Sequence, residues 1–584
     1  MQSPYIFQQE KEKNKMQYSE LCGTYEDLGK NPSRLKKTEI LSEFLKKLKH
    51  EKDKQVIYLL QGKVFPDYDE REFGISEQLC IKALEKSSGI SKKEIVSKWR
   101  KIGDLGKIAE EVMSKKKQGT LFSHKLTVRK VLDNLQKLPS LEGKGTVSRK
   151  LALISELLTS ASGVEAKYII RTLLNHLRIG VAEGTIRDSI AKACFKEKTK
   201  QITDAVESSY DKATDFALVF EKACKGIRSL KATTLSPGHP IRAMLALKAE
   251  SIEDGFKRVG KPAIFEYKYD GFRMIINKDE AGNIKIFTRR LDNVTNQFPD
   301  VVKYVQEHVK AKSFILDSEA VGYHKKTKRY TPFEAVSQRI KRKHNIQELV
   351  KKLPIEINVF DILYYDGTSL LNQSFEKRTK LLRKIIKNRK YHLKTAHQLI
   401  TSDEKKAEEF YKKALEDNQE GVMIKNMNSE YKPGARVGHM LKLKPSENEL
   451  DLVITGAEYG KGKRAGAFAT FILSCLNKKT KKFLEIGKSS GLKEKSELGL
   501  SFTQLTKKLK PLIIKEHGRS ATIKPKIVVT ILYQNIQRSP TYSSGFALRF
   551  PRIIKLRPDR KADDVATLKE ISDDYNRHEL KIKY

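Results

Sequence analysis

The arrangement of apolar and polar residues divides the chain into a helical first part and a strand-rich remainder. From about residue 16 to 230, apolar residues recur at i, i+3, i+4 and i+7, as in "SRKLALISELLTSASGVEAKYIIRTLLNHL", which predicts amphipathic helices. From 262 to about 445, short β-rich runs such as "AIFEYKY", "FRMIIN", "IKIFTR", "SFILDSEAVGYH", "EINVFDILYYD" and "GVMIK" alternate with helices. After about 447, short strands with basic turns, such as "AFATFILSCL" and "KIVVTILY", predict a small barrel.

Breaks in these patterns predict the domain boundaries. The opening "MQSPYIFQQEKEKNK" is polar and predicts a disordered extension, and Met16, where helical patterning begins, is a second candidate for the true start. The segment "LSPGHPIRAMLA", residues 235–246, carries two prolines and a glycine and predicts a linker. The predicted organisation is a disordered extension 1–15, a helical domain 16–235, an α+β domain 236–446 and a β-barrel domain 447–584.

The charge of the chain indicates a polyanionic partner. Lys and Arg total 115 against 72 Asp and Glu, which gives a net charge of +43. Such an excess favours binding to nucleic acid or to an acidic membrane surface, although a merely soluble basic protein is the alternative. No apolar run approaches the roughly 18 residues of a membrane span, and no signal peptide opens the chain, so we expect no membrane association.

The cysteines indicate a reducing cell interior. They are five in number, lie far apart and never form a CxxC pair, which argues against a disulfide framework and a zinc knuckle. We therefore expect a cytoplasmic protein, or a nuclear one if the cell is eukaryotic. The cysteines are Cys22, Cys80, Cys194, Cys224 and Cys475.

The stretch "EYKYDGFRMII", residues 266–276, places charged residues directly before an apolar strand. A lysine can act as a covalent nucleophile, but only as the free amine. Its reference pKa is about 10.4, so bringing that pKa to neutrality requires roughly 4 kcal/mol from nearby cations, a metal or desolvation. Taken alone, Lys268 is more often a surface lysine at a strand end, and the other segments of the chain decide between the two interpretations.

Those segments resemble the motifs of covalent nucleotidyltransferases, the group that contains ATP-dependent DNA ligases, RNA ligases and mRNA-capping enzymes. "KYDGFR" resembles the K-x-D-G-x-R signature, and further motifs follow in the order that the family has. They are "IFTRRLDN", "ILDSEAVGY", "VFDILYYDG", "EGVMIK", "YKPGARVGHMLKLK" and "LRFPRIIKLRPDRK".

The resemblance covers nearly the whole chain from Met16 and narrows the subclass. "LLNHLRIGVAEGTIRDSIAKA" resembles the DNA-binding domain of eukaryotic and archaeal DNA ligases, which RNA ligases and capping enzymes lack. "YSEL" and "LLQGKVFPDYDEREFGI" are most similar to archaeal replicative ligases, and the cysteine zinc motif of NAD-dependent ligases is absent from the sequence. The resemblance implies a multidomain α+β protein: an all-α DNA-binding domain, an α+β adenylation domain and an OB-fold β-barrel domain.

The implied activity is ATP-dependent sealing of nicks in duplex DNA, through a lysyl-AMP intermediate and a DNA-adenylate, in replication, repair and recombination. An RNA ligase or a capping-type nucleotidyltransferase with the same core is the first alternative. A DNA-binding protein with a decayed active site is the second, but the chain retains the residues that such decay removes. They are Lys268, Asp270, Glu319, Glu420 and Lys442.

The resemblance also implies the roles of the site residues, with ATP and Mg²⁺ as cofactors. Lys268 is expected to attack the α-phosphate, Glu266 to read the adenine amino group, and Phe360 to stack on the purine unless it is ordinary core. Glu319 is expected to contact metal or ribose, and both Glu319 and Glu420 suit Mg²⁺. Adjacent residues of a strand face opposite ways, so one of Arg289 and Arg290 is expected to face away, and the spacing favours Arg289. The remaining cations expected near the nucleotide are Arg273, Arg436, Lys442 and Lys444.

The expected DNA contacts are spread over all three domains, and the partner is nicked double-stranded DNA. In "HLRIGVAEGTIRDSI", Gly180 and Gly184 permit close backbone approach before a helix whose N-terminus favours phosphate, while Arg178 and Arg187 add charge. A solvated basic helix is the alternative. Phe333 and Phe550 resemble aromatics that relatives press into the minor groove.

Two further segments carry expectations that depend on the resemblance. The last motif usually ends Arg-x-Asp-Lys, whereas here Arg560 takes the place of the lysine, so Arg557 and Arg560 are the two candidates for contact with the pyrophosphate. In "SKKKQGTLFSHKL", Gln118, Leu121 and Phe122 resemble the shortened sliding-clamp-binding motif of archaeal ligases, unless the apolar pair packs onto the helices. We expect a monomer.

Overall fold

The structure, a computed structural model, describes residues 16–583 except 51–53, 70, 116–124, 198, 332, 342–344, 418, 446–447, 461–465, 493–500 and 518. The chain forms two compact units. The first contains Met1–Asp403 and Met423–Leu441, and the second contains Glu404–Val422 and Lys442–Tyr584. Within the described residues, no helix is both long enough and apolar enough to cross a membrane.

The first part of the first unit is helical, as the periodicity predicts. Short polar side chains begin most of these helices by accepting a backbone N–H; Ser162 does so before α8, where Glu165 closes a capping box. The apolar faces meet in one continuous core that runs from Tyr18 to Leu230. The helices are α1 (Tyr18–Lys30), α2 (Arg34–Leu48), α3 (Glu77–Ser88), α4 (Lys92–Ile102), α5 (Leu105–Ser114), α6 (Val128–Lys137), α7 (Thr146–Ser160), α8 (Gly163–Leu173), α9 (Glu183–Cys194), α10 (Lys200–Ala213), α11 (Phe216–Lys225) and α12 (Ile227–Lys231).

The segment that the prolines mark as a linker is packed against the rest of the first unit. Leu235, Ile241 and Met244 are buried in one apolar cluster with Ile275 and Phe287, which belong to the α+β part of the chain. The prolines and glycine do break the helical pattern here, but the apolar residues between them are buried as a core and are not exposed as in a flexible tether.

The α+β part contains two sheets, and the six strands expected from the sequence are present. The strand order is β1-β12-β11-β2-β10 in one sheet and β4-β3-β5-β7-β8 in the other, where β6 pairs with β5 and β9 with β7. In β3, Met274 and Ile276 enter one apolar cluster while Ile275 enters another, so both faces of this strand are buried. The strands are β1 (Leu245–Lys248), β2 (Ala263–Lys268), β3 (Phe272–Lys278), β4 (Ile284–Thr288), β5 (Phe314–Tyr323), β6 (Tyr330–Thr331), β7 (Ile355–Tyr365), β8 (Thr368–Ser369), β9 (Leu393–Thr395), β10 (Gln398–Thr401), β11 (Gly421–Asn426) and β12 (Arg436–Leu443).

The helices of the α+β part alternate with the strands along the chain. A side chain often caps the N-terminus of the helix, as Ser251 does before α13 and Ser374 does before α17. The helices of this part are α13 (Ile252–Val259), α14 (Pro299–His308), α15 (Phe333–Lys341), α16 (Ile346–Lys352), α17 (Phe375–Ile385) and α18 (Glu404–Glu416).

The C-terminal part of the second unit is rich in short strands. The long strand β13 pairs with β18 along its first half, with β17 along its second half and also with β14, so it joins a seven-stranded sheet. The elements are β13 (Asn448–Tyr459), β14 (Phe468–Asn477), β15 (Lys482–Ser490), α19 (Phe502–Leu509), β16 (Ile513–His517), β17 (Ser520–Ile523), β18 (Val528–Tyr533), β19 (Ile536–Arg538), β20 (Phe546–Leu548), β21 (Arg552–Leu556) and α20 (Leu568–Lys583).

Candidate active site

The candidate nucleophile lies where β2 turns into β3. Lys268 is the last residue of β2 and is half-buried, and Asp270 in the turn that follows is nearly buried. Gly271 permits the turn because a Cβ at this position would collide with the carbonyl oxygen of Ala320 on β5. The turn therefore lies directly against β5, the strand that also carries Glu319.

A buried ion pair holds Glu266, two residues before the lysine. Lys425 Nζ of β11 donates to Glu266 Oε2 at 2.6 Å, and both side chains are more than nine-tenths buried. Gln398 of β10, directly opposite Glu266 in the antiparallel register, donates from Nε2 to Oε1 at 3.0 Å. Gln398 has no motif of its own and lies more than 130 residues from Glu266, so the sequence does not reveal this contact.

A second buried network surrounds Arg273. Its Nε donates to Asp317 Oδ1 of β5 at 2.8 Å and its Nη2 donates to the other carboxylate oxygen, so the pairing is bidentate. The Tyr431 hydroxyl donates to Asp317 Oδ2 at 2.8 Å, and Arg273 Nη1 donates to the Met244 carbonyl at 2.7 Å. Arg273 therefore ties together β3, β5 and the segments around residues 244 and 431.

The protonation states in this network are set by burial and by the shared carboxylate. Burial opposes the charge of Arg273, but Asp317 beside it raises the pKa of that guanidinium above its usual value, so the arginine stays charged. Burial, reinforced by Asp317, raises the pKa of Tyr431 well above its usual value, so the phenol keeps its proton and donates it. Neither Asp317 nor Tyr431 was named from the sequence, although an aspartate within the apolar run "FILDSEAV" is itself a signal of a buried polar contact.

Phe360 lies between the two networks. It is half-buried, whereas the five residues before it on β7 are all buried. Its ring centroid is 5.4 Å from the guanidinium carbon of Arg273 and 5.0 Å from Lys425 Nζ, so cations of both networks approach the same ring.

Glu319, Arg289 and Arg436 have different settings. Glu319 is half-buried on β5 and stands directly opposite Arg273 in the register of β3 and β5. Strand β4 ends at Thr288, so Arg289 and Arg290 both lie in a turn and are both exposed; the expectation that a strand turns one of them away is wrong here. Arg436, the exposed first residue of β12, donates to the Ala246 carbonyl at 3.3 Å.

The second unit holds the remaining residues that the sequence predicts near the nucleotide. Lys444 Nζ forms an ion pair with Glu420, and Gly421 keeps these chain segments close because a Cβ there would collide with the Leu443 carbonyl. Lys442 is half-buried on β12. In the last motif, Arg557 Nη1 and Arg560 Nε both contact Asp451 Oδ2, at 2.7 and 3.1 Å.

Asp559 completes this last cluster. Arg557 also pairs with Asp559 at 2.7 Å, and hydrogen bonds from Arg557 lower the pKa of the Asp559 carboxyl to about 2. Both arginines are therefore already engaged by acids of their own unit.

The expected DNA contacts in the helical domain cluster before and within α9. Arg178 has a positive φ of 59° and contacts Asp104 at 3.3 Å. Gly180 has a φ of 65°, and a Cβ at this position would collide with Lys37 Nζ. A Cβ on Gly184 would lie 3.1 Å from Arg34 Nη2, and Arg187 forms an ion pair with Glu207. Ala182 precedes α9 and makes no side-chain capping hydrogen bond, although its carbonyl accepts the Thr185 N–H at 2.8 Å.

The aromatic and clamp residues differ in what the structure describes. Phe550 lies between β20 and β21 with φ 52° and a 62% exposed side chain. Phe333 begins α15, and its side chain lies outside the described residues. Gln118, Leu121 and Phe122 also lie outside them.

Comparisons with known proteins match this architecture over the whole chain. Family models match in succession: DNA ligase N terminus over residues 17–191, ATP dependent DNA ligase domain over 243–444, and ATP dependent DNA ligase C terminal region over 464–560. The DNA ligase of Nanoarchaeum equitans (strain Kin4-M) is 42% identical over 96% of this chain and 98% of its own length. The chain belongs to the ATP-dependent DNA ligase family.

Further relatives agree with this assignment. The DNA ligase of Thermococcus fumicolans is 40% identical over 97% of this chain and 99% of its own length. The solved structure named Pmar-Lig_PreS3 is 18% identical with a TM-score of 0.54 and covers 92% of this chain and 99% of its own, which supports the fold. As an ATP-dependent DNA ligase, the protein is a nucleotidyltransferase that seals nicks in DNA with ATP and a divalent metal such as Mg²⁺.

Proposed function

We propose that Lys268 is the ligase nucleophile and that the two buried networks on either side of it position the nucleotide. The observation that carries this proposal is the close sequence spacing of Glu266, Lys268 and Arg273 around one tight turn, with Glu266 and Arg273 each held by buried partners. Groups fixed in this way need no reorganisation when charge develops at the phosphate. Lys268 therefore lies between Glu266, which we propose recognises adenine, and Arg273, which we propose lies near the phosphates.

The reaction consists of three displacements. The Lys268 amine attacks the α-phosphorus of ATP, so a P–N bond forms while the P–O bond to pyrophosphate breaks. The 5′-phosphate of the nick then displaces the lysine from the adenylate, and the 3′-hydroxyl finally displaces AMP and closes the strand. Each displacement places negative charge on phosphate oxygens, which the cations around the turn stabilise.

The base-recognition end is formed by Glu266 and Phe360. We propose that Glu266 accepts a hydrogen bond from the adenine amino group while Phe360 stacks on the purine. Gln398 and Lys425 each donate to one Glu266 oxygen and fix the plane of the carboxylate, so they act as positioning residues for base selection. A guanine presents a carbonyl at the same place and would face an acceptor, which favours ATP over GTP.

The phosphate and metal end combines residues of several strands. We propose that Arg273, Arg289, Arg436, Lys442 and Lys444 supply positive charge near the phosphates. Glu319 and Glu420 offer half-buried carboxylate oxygens, the ligand type that Mg²⁺ prefers, and they would hold it. The bound metal supplies charge neutralisation at the phosphate oxygens. We propose that Arg557 and Arg560 release Asp451 and then orient the leaving pyrophosphate.

DNA binding is proposed for the surface around the start of α9 and for Phe550. Arg178, Arg187, Gly180 and Gly184 would contact the phosphate backbone, which suits an enzyme that must act at any sequence. Phe550 combines a positive φ, which strains the backbone, with an apolar ring exposed to water. A contact in the minor groove would account for both unfavourable features. Phe333 is proposed for the same groove.

The partner and the cellular setting are proposed from the sequence alone. We propose that Gln118, Leu121 and Phe122 bind a sliding clamp, that the ligase acts as a monomer, and that it works inside the cell in replication, repair and recombination. Replacing Phe122 with Ala should weaken clamp-stimulated sealing and leave basal sealing unchanged. A loss of thermal stability with intact stimulation would identify Phe122 as a core residue.

The proposal is tested with Lys268→Ala and a matched control, Lys278→Ala. Lys278 also ends a β-strand, and its Nζ donates to the Ala311 carbonyl at 3.0 Å. With α-labelled ATP, Lys268→Ala should form no labelled protein, yet it should still slowly seal a nick that already carries the 5′-adenylate. Lys278→Ala should label normally. Normal labelling of Lys268→Ala would refute the proposal, and labelling by GTP in place of ATP would overturn the adenine assignment.

A further inference from the structure

Two of the five cysteines face each other in the helical domain. Cys194 is the last residue of α9, and Cys224 is the penultimate residue of α11. Their sulfur atoms are 3.8 Å apart, within hydrogen-bonding distance for thiols. Cys22, Cys80 and Cys475 are buried, whereas Cys194 and Cys224 are only partly buried.

The position of the pair allows the sulfurs to approach further. A disulfide needs an S–S distance of about 2.05 Å, so the sulfurs must close by roughly 1.8 Å. Both residues lie at helix C-termini, where the backbone has fewer hydrogen bonds to break than in a helix interior. Packing of α9 and α11 against the same core already fixes the two ends side by side.

The surroundings favour a reactive thiolate on one of the two sulfurs. The hydrogen bond with Cys194 lowers the pKa of Cys224 to about 7, and Lys54 and Lys49 act in the same direction. Lys49 Nζ lies beside the end of α9, where it contacts the Ala193 carbonyl at 3.5 Å. A thiolate near neutral pH with a second thiol in contact is the arrangement of a redox pair.

We propose that Cys194 and Cys224 form an oxidisable dithiol that an external low-molecular-weight disulfide converts into an intramolecular disulfide. The Cys224 thiolate attacks the external disulfide, which forms a mixed disulfide and releases one thiolate. Cys194 loses its proton and attacks the Cys224 sulfur, which forms the Cys194–Cys224 bond and releases the second thiolate. The external disulfide is reduced to two thiols, and the protein loses two electrons and two protons.

The bond would fasten the end of α9 to α11. Helix α9 begins with the glycine and arginine proposed to meet DNA, and its far end packs against the same core as α11. A cross-link between residues 194 and 224 closes a short loop and restricts the unfolded chain, so the oxidised protein should be the more thermally stable form.

The test uses the full-length protein equilibrated with oxidised glutathione under native conditions. Remaining thiols are blocked with N-ethylmaleimide, and tryptic peptides are analysed by mass spectrometry. We expect a peptide pair linked through Cys194 and Cys224 that dithiothreitol separates, and an increase in Tm of about 5 °C or more on oxidation. Glutathione adducts on both residues without the link, or two residues that both react only with N-ethylmaleimide, would overturn the proposal.

Three further samples make the result specific. Cys194→Ser should accumulate a stable glutathione adduct on Cys224 and show no increase in Tm, because the resolving thiol is gone. Cys475→Ser removes a buried cysteine from the other unit and should form the link as the native chain does. Oxidation of urea-unfolded protein measures random pairing, and a link found only in that sample would also overturn the proposal.

Discussion

The charges proposed for the nucleotide site and the charged pairs around the proposed DNA-binding surface of this ligase are arranged in different ways. Glu266 with Lys425 and Arg273 with Asp317 are buried pairs whose partners come from different strands. In the helical domain each pair has one exposed partner: Arg34 is 67% exposed beside the 19% exposed Asp188, and Glu207 is 48% exposed beside the 19% exposed Arg187. A buried pair fixes geometry and is costly to break, whereas an exposed pair contributes little and is readily exchanged for a phosphate.

This contrast follows from what each region must do. Adenylation requires groups held to a fraction of an ångström around one reacting atom. Sequence-independent DNA binding requires positive charge that can shift along a backbone and release counterions. The predictions below test whether the two kinds of pair differ in this way.

The largest effect is expected from Asp317→Asn. It keeps the shape of the side chain but leaves Arg273 buried and without its counter-charge, which should cost about 3–5 kcal/mol of unfolding free energy. Self-adenylation should fall at least 100-fold, because Arg273 loses its orientation. Urea unfolding and labelling with ATP measure the two effects. Asp188→Asn, which removes the acid of an exposed pair, is the control and should change stability by less than about 1 kcal/mol.

The next effect concerns Lys425→Met. Loss of the buried ammonium should free the Glu266 carboxylate to rotate and should raise the KM for ATP about 10- to 100-fold, with a smaller change in kcat. The free energy of unfolding should fall by a few kcal/mol, because Glu266 is left buried without its ion pair. Adding Glu266→Gln to this variant should restore part of the stability, but no affinity for ATP. If the two stability losses simply add, the pair is not coupled.

A pH-dependent effect is expected at Asp211, on α10. Burial raises the pKa of this carboxyl to about 6, with Arg242 opposing the shift. A carboxyl whose pKa is higher in the folded state binds its proton more tightly there, so this group stabilises the fold at low pH. That contribution is lost as the pH rises from about 4 through 6, and it amounts to about 3 kcal/mol.

Asp211→Asn should therefore remove this part of the pH dependence and be more stable than the native chain at pH 8. Chemical unfolding at pH 4.5, 6 and 8 provides the measurement. The opposite order at pH 8 would show that attraction to Arg242 outweighs burial.

The smallest effect on stability is expected at Arg187. Arg187→Ala should change the unfolding free energy by less than about 1 kcal/mol, because Glu207, the acid of its ion pair, is half-exposed. Nicked-duplex affinity should fall by roughly tenfold, and the slope of log K against log salt should decrease in magnitude by about one, with adenylation unchanged. Lys380→Ala removes the same charge from an exposed pair with Glu376 on α17 and should leave the salt slope unaltered.

How far the sequence predicts this site depends on whether the partners are neighbours along the chain. Glu266, Lys268 and Arg273 lie within eight residues and share one motif, so their grouping could be predicted. Gln398 reaches its network through the pairing of β10 with β2, and Tyr431 reaches the other from the loop between β11 and β12, so neither contact is visible in the local sequence. Asp317 does lie within a motif, and burial of an acid in an apolar strand requires a partner.

The fold shows the same division between local and long-range information. The strands and helices follow the apolar pattern closely, because periodicity is a local property. The turn at Arg289 is hard to predict, because an arginine pair has no strong turn preference and only the following "LDN" favours a turn. The packing of residues 235–246 could not be predicted, because apolar residues between prolines suit both a tether and a core.

The buried segment from Leu235 to Met244 decides where this ligase can be divided. A cut made after residue 235 would leave Ile241 and Met244 on one fragment and Leu235, a member of the same apolar cluster, on the other. Arg242 would also be separated from Asp211 and Glu183, its partners on the helices. Expression of the α+β part alone should therefore begin before Leu235, and a protease should find few accessible bonds between residues 235 and 244 while the native chain is folded.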